Sequence, residues 1–225
     1  MSNKISLGEL SKVKGIGKKT IQRVRQQMIE DGTIEKKSIT EVGFPDKEYS
    51  VIYADPPWNY DNGHYQDGGR EFNNLDNYYE QMTVNEIKKL PVEKISKNNC
   101  ILFMWVTDSH LLNGAGQEVM KAWGFEPKTI GFNWIKHYES GSRCVNFSPY
   151  TLKSWEVCVI GTKGAAGKLK VVNDVQGYLD SIRTIHSKKP DEARKRIERL
   201  VGEKEKIELF ARQRVDGWDC WGNEV

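Results

Sequence analysis

Metal-ligand spacing and disulfide pairing are both missing from this sequence. Its four cysteines, Cys100, Cys144, Cys158 and Cys220, form no CxxC pair and no Cys/His ligand pattern, which argues against a zinc site or any other metal centre. Three of them lie in or beside strongly apolar segments and read as reduced, buried thiols of an intracellular protein. Long hydrophobic runs are missing too. The longest, CILFMWV at 100–106, is far too short to cross a bilayer, and MSNKISLGEL at the start has no long apolar core. No membrane partner is expected, and a cytoplasmic location follows. There is no internal repeat and no low-complexity tract, which removes solenoid and disordered classes.

What remains is a chain of 225 residues and 25.9 kDa, enough for one sizeable core with a small appendage. The net charge of +3 is unevenly spread: residues 1–40 hold nine Lys or Arg against four Asp or Glu, so the rest of the chain is slightly acidic. A basic front end on a near-neutral body suggests that the front contacts a polyanion, although a solvated helix face explains the same charge.

Residues 5–30 have helical spacing, with Leu7, Leu10 and Val13 before a KGIGKK break and Ile21, Val24 and Met28 after it. Residues 31–47 mix turn formers with charges and read as a linker, and the body begins at Tyr49. Compact apolar runs then recur at 50–54, 101–106, 129–135, 155–161 and 206–211; continuous rather than alternating hydrophobicity implies strands buried on both faces. Amphipathic helices are predicted over 108–123 and 190–201, closed by Gly124 and Gly202. Alternating strands and helices predict a mostly parallel α/β sheet covered on both faces, with ligands gathered at the carboxyl ends of its strands. Asp55 and Arg212 sit at such ends, and loops 59–77, 136–150 and 162–181 are long enough to cover a site.

Three glycine clusters imitate phosphate-binding loops. GTKGAAGK at 161–168 has one residue too many between its outer glycines and Leu169 where a P-loop needs Ser or Thr, and NGAGQE at 113–118 falls inside a predicted helix. The third, GIG at 15–17, joins two short helices and is followed by Lys18 and Lys19. LSKVKGIGKKTIQRV, around Lys14, Gly15 and Gly17, resembles the helix-hairpin-helix motif, a binder of the DNA backbone. Glycines let backbone N–H groups approach a phosphate while lysines supply charge, although a helical hairpin for packing or for a protein partner fits the same residues.

Asp-Pro-Pro-Trp at 55–58 follows the first strand directly. An exocyclic nucleobase amine is a poor nucleophile because its lone pair is delocalised into the ring. A carboxylate and a rigidly held carbonyl that each accept one of its N–H groups free that lone pair, and prolines fix such a carbonyl outward. An aromatic beside them offers a stacking face for a flipped base. The alternative is that the prolines simply end the strand and Trp58 packs in the core.

DPPW, together with YYEQMTVNEIKKLPV (78–92), ILFMWVTDSHLL (101–112), VMKAWGFEPKTIGFNWIK (119–136), WEVCVIGTKG (155–164), HSKKPDEARKRIERL (186–200) and KIELFARQRVDGWDCWGNEV (206–225), resembles the MT-A70 family of adenine methyltransferases. The resemblance implies a Rossmann-like methyltransferase fold with circularly permuted motif order, the catalytic strand preceding the cofactor strand. It implies S-adenosylmethionine as methyl donor, S-adenosylhomocysteine as product and no metal. Asp55 and the Pro56 carbonyl would hold the adenine amine, with Pro57 fixing the turn and Trp58 bordering the base; Asp55 would also approach the cofactor's amino group. Lys189 would counter the cofactor's carboxylate, and Arg212, Asn223 and Glu224 would lie near the ribose. Glu208, His186 and Ser187 match as well.

Two departures favour DNA over RNA: the hairpin motif in place of the extensions of large eukaryotic members, and a long loop 59–77 rich in Asn and Gly. The expectation is a helix-hairpin-helix-like module at 1–40 gripping duplex DNA through Lys14, Gly15, Gly17, Lys18 and Lys19, and a methyltransferase domain at 41–225 that flips and methylates adenine. Lys136 and Arg143 are expected at the nucleic-acid surface, and a homodimer is the expected assembly. RNA as substrate, or a catalytically silent nucleic-acid-binding subunit, are the alternatives.

Overall fold

Strand β1, Tyr49–Ala54, is buried at all six residues, as an apolar run flanked by sheet on both edges must be. In the computed structural model, residues 24, 27, 28, 38–59, 81–145, 150–183 and 188–225 are described. The hairpin glycines and lysines, His186, Ser187 and nearly all of loop 59–77 lie outside them.

Six further strands join β1: β2 (Ser96–Val106), β3 (Glu126–His137), β4 (Trp155–Lys163), β5 (Tyr178–Ile182), β6 (Lys206–Leu209) and β7 (Asp219–Trp221). They form one sheet in the order β5-β3-β4-β2-β1-β6-β7. β1 runs parallel to β2 and β6, β6 to β7, and β3 to β5. β4 alone is reversed, pairing antiparallel with both β2 and β3. The expected sheet is therefore mostly parallel with one reversed strand. β4 inserts between β2 and β3 and hydrogen-bonds antiparallel to each, from Cys100–Val106 on one side and Glu126–Ile135 on the other. β5 and β7 add two short strands that the apolar runs did not mark.

Among the described residues, four helices cover the sheet: α1 (Val84–Lys88), α2 (Asp108–Leu112), α3 (Ala115–Ala122) and α4 (Asp191–Val201). On one face Ile52, Ala54, Leu102, Met104, Ile207 and Leu209 pack with Ile87 of α1 and Val119 and Met120 of α3. On the other, Val51, Tyr53, Phe103 and Trp105 pack with Ala193, Ile197 and Val201 of α4. Each such aliphatic side chain contributes about 1.5–3 kcal/mol on burial. α1 is short but well capped: Thr83 N–H donates to Glu86 Oε2 at 2.7 Å and Glu86 N–H to Thr83 Oγ1 at 3.3 Å.

The helix expected over 108–123 breaks in two. Gly114 adopts φ 86°, and Asn113 Oδ1 accepts the Ala115 N–H at 3.0 Å, so α3 starts afresh there. NGAGQE is therefore a helix junction. The cluster GTKGAAGK, expected as a loop, begins as the last three residues of β4 and only from Gly164 turns away, into a short 3-10 turn at Ala166–Leu169. Residues 38–44, which carry no periodicity and read as linker, pack onto the body: Ile39 is 3% exposed within the first core, and Phe44 meets the Trp221 ring edge-on at 4.8 Å.

Candidate active site

β2 and β6 flank β1 on opposite sides, both parallel to it, so the chain winds outward in two directions from β1. Crevices at the carboxyl ends of strands open at such switch points. Asp55 directly follows β1 there, and Arg212 lies three residues beyond Leu209 of β6. Between them the chain turns through Phe210 at φ 60°, a left-handed conformation that is strained for a bulky residue and recurs at functional sites.

Lys189 Nζ donates to Asp55 Oδ2 at 2.6 Å and lies 3.4 Å from Glu156 Oε2. Glu156 Oε1 in turn accepts from Lys136. Asp55, Lys189, Glu156 and Lys136 thus alternate in charge along one line, against the indoles of Trp105 and Trp134: Lys189 sits 5.6 Å from the first ring and Lys136 4.9 Å from the second. Burial would raise the Glu156 carboxyl, but Lys189 and Lys136 together hold it down, to about 2. Burial likewise works against the Lys189 ammonium, yet Asp55 and Glu156 outweigh it and raise its pKa; the positive charge of Arg212 opposes them slightly.

The two prolines make a tight turn. Trp58 N–H donates to the Pro56 carbonyl at 2.9 Å, Met82 N–H to the Pro57 carbonyl at 2.8 Å, and Asn59 N–H to the Met82 carbonyl at 3.0 Å. The expectation of an open stacking face at Trp58 is corrected here. It is 5% exposed, its Nε1–H donates to the Trp105 carbonyl at 2.9 Å, and His110 covers its ring at 4.9 Å. Trp58 therefore anchors the turn that carries Asp55.

Glu208 accepts from Arg194 of α4 through both oxygens, at 2.9 and 3.2 Å, and Arg194 also pairs with Asp191. Asn223 and Glu224 follow β7, where Gly222 lies so close to β6's extension that a Cβ would sit 2.4 Å from the Ala211 carbonyl oxygen. That approach brings the terminal block beside Arg212. Lys136 is corrected: at 6% exposure and bonded to Glu156 it is no surface contact for nucleic acid, because its position on β3 points it to the buried face shared with Trp134. Arg143 is exposed and bridges to His137. Glu156 was not anticipated. Its signal was a single acid in the apolar run WEVCVIG, cross-strand from Trp134.

The family model described as MT-A70 matches residues 49–224. The chain belongs to the MT-A70 family. Its sheet, with the DPPW strand preceding the strand that leads to Arg212, is the permuted Rossmann-like methyltransferase fold. Among MT-A70 relatives, the type II methyltransferase M.MunI of Mycoplasma sp is 33% identical over 193 residues, covering 80% of this chain and 79% of that protein. The N(6)-adenine-specific methyltransferase METTL4 of Homo sapiens is 26% identical over 80% of this chain but only 38% of its own length. The human N(6)-adenosine-methyltransferase catalytic subunit METTL3 is 26% identical over 79% of this chain and 28% of its own length. No helix among the described residues is long and apolar enough to cross a membrane.

Proposed function

We propose that this MT-A70 chain is an S-adenosylmethionine-dependent methyltransferase that modifies the exocyclic N6 amine of adenine in DNA. The observation that carries the reading is the Asp55 carboxylate, held by Lys189 at 2.6 Å at the switch point of the sheet and followed by a pinned Pro-Pro turn. Similarity to a type II methyltransferase over four-fifths of both chains supports DNA as the substrate.

The residues present fit the cofactor. Asp55 and Lys189 offer the opposite charges that an amino-acid zwitterion requires, and Arg212, Asn223 and Glu224 gather where β6 and β7 end, with an amide and a carboxylate suited to ribose hydroxyls. When bound, S-adenosylmethionine supplies an electrophilic methyl group. Asp55 accepts one N–H of the target amine, and the Pro56 carbonyl, which spends one lone pair on Trp58 N–H, has a second for the other. Drawing both protons away from the ring plane localises the nitrogen lone pair. Glu208 reaches the same ribose region only through a carboxylate already shared with Arg194. Residues 1–40 grip the duplex, Arg143 adds to the nucleic-acid surface, and the protein works as a soluble cytoplasmic homodimer.

The test is methyl transfer from labelled S-adenosylmethionine to matched double-stranded DNA, single-stranded DNA and RNA, with nucleoside analysis. N6-methyladenine in DNA is expected, and Asp55→Ala should lower its rate by at least ~100-fold. Full activity in Asp55→Ala would sink the mechanism. Methylation confined to RNA would move the substrate, and none in any polymer would favour a silent subunit.

A further inference from the structure

Of the four charges in the line at the site, the proposed reaction assigns roles to Asp55 and Lys189 but none to Glu156 or Lys136, and of these two only Glu156 touches Lys189. It lies on β4, a strand that carries no other proposed site residue. Two explanations compete. Glu156 could be there only to neutralise Lys136, whose ammonium would otherwise be buried beside Trp134 without a counter-charge. Alternatively, it could act on Lys189.

We infer that Glu156 is a positioning residue for cofactor binding: it holds Lys189 in place while Asp55 exchanges Lys189 for the cofactor's ammonium group. The inference rests on the proposed cofactor site. With no cofactor, Asp55 and Lys189 satisfy each other at 2.6 Å. A methionine moiety has to separate that pair, because its ammonium needs Asp55 and its carboxylate needs Lys189. A lysine on a flexible four-carbon stem with one partner would follow Asp55 or swing away once that partner is taken. Glu156 gives it a second, fixed anchor on the opposite side. An ammonium has three donors: Glu156 holds one throughout, and once Asp55 turns to the cofactor's ammonium the others are available to the incoming carboxylate. Lys136 completes the arrangement by keeping the four-charge line neutral, so that Glu156 does not repel that carboxylate.

The two explanations separate in the double variant Glu156→Gln with Lys136→Met. It removes one charge of each sign, keeps both side-chain stems and leaves no buried ion alone, so it folds even if Glu156→Gln by itself does not. Isothermal titration of wild type and double variant compares S-adenosylhomocysteine with methylthioadenosine, which shares the nucleoside but lacks the amino-acid moiety. The expected result is a roughly tenfold loss of affinity for S-adenosylhomocysteine, the effect of one mispositioned charged hydrogen bond, with methylthioadenosine unchanged within about twofold. A double variant that binds S-adenosylhomocysteine as wild type does overturns the inference, because Glu156 then serves Lys136 alone. Equal losses for both ligands overturn it too, as general damage to the pocket. A wild type that binds neither ligand overturns the functional reading itself, an outcome distinct from either of these.

Discussion

A buried ammonium is tolerated only where carboxylates surround it, and Lys189, with 12% of its side chain exposed, has two. The same rule governs Arg194 on α4, which is held between Glu208 and Asp191. Burial raises the Glu208 carboxyl, and the Arg194 charge works against that rise. Arg194→Met strands Glu208 as an unpaired buried acid and should lower stability by about 3–5 kcal/mol in urea unfolding. At Trp58 the expected loss is smaller. Trp58→Phe keeps an aromatic in the core but deletes the bond to the Trp105 carbonyl, so a loss of about 1–3 kcal/mol is expected from the same measurement. At this scale the motif was legible as chemistry, but its contacts were not. DPPW marked Asp55, while the partners that make Trp58 structural, Trp105 and His110, come from β2 and α2. Glu156 and Lys136 meet across β3 and β4, and no local spacing reports a cross-strand pair.

Elements were legible through their apolar runs, though not always for the expected reason: β3, read as buried on both faces, buries only Phe132, Trp134 and Lys136. β1 and β2 announce themselves as unbroken apolar runs because sheet neighbours and helices cover both faces. β5 buries only Leu179 of its five residues and β7 is three residues long, so neither leaves an apolar run to find. The strand's own composition carries no signal for the reversal of β4, which shows only in its pairing with β2 and β3. Glycines at element ends are where small changes should be felt most. Gly222→Ala would force its Cβ into the Ala211 carbonyl and push Asn223 and Glu224 away from the end of β6. Weaker S-adenosylhomocysteine binding is expected, by at least about threefold in titration, together with a lower Tm. Binding equal to wild type would remove the terminal block from the cofactor site. Gly164→Ala, whose Cβ would lie 2.1 Å from the Asn98 carbonyl oxygen at φ 59°, should destabilise the β4 loop without touching that affinity.

For the molecule as a whole, the charge line contributes to the pH dependence of stability. The Glu156 carboxyl sits at about 2 in the folded chain against an ordinary 4.5, so its contribution is complete above pH 4.5 and is lost as pH falls through 2. Lys189 is shifted upward, so its contribution is present below the ordinary 10.5 and is lost as pH rises beyond it. Urea midpoints should therefore fall between pH 4.5 and 2, and the variant Glu156→Gln with Lys136→Met should show a flatter acid limb. The basic front end gives a second whole-molecule prediction. Removing it before Ser38 spares Ile39, which belongs to the body's core, and should weaken duplex DNA binding and reduce its dependence on salt. Unchanged binding would assign the hairpin to a protein partner.

The pairing of β1 with β6 also sets a schedule. Val51 lies opposite Lys206 and Ala54 opposite Leu209, so the neighbours that frame the crevice are made at opposite ends of translation. At about 5–20 residues per second, the ribosome delivers β6 roughly eight to thirty seconds after β1. Through that interval β1 has β2 on one side and an open apolar edge on the other, the kind of edge that invites chaperones and wrong partners. Until β6 and the turn after it are made, a nascent chain holding Asp55 has no Arg212 to work with. The crevice at the end of β1 is therefore completed late in synthesis, and under the proposed function a chain abandoned before β6 carries no finished methyltransferase site.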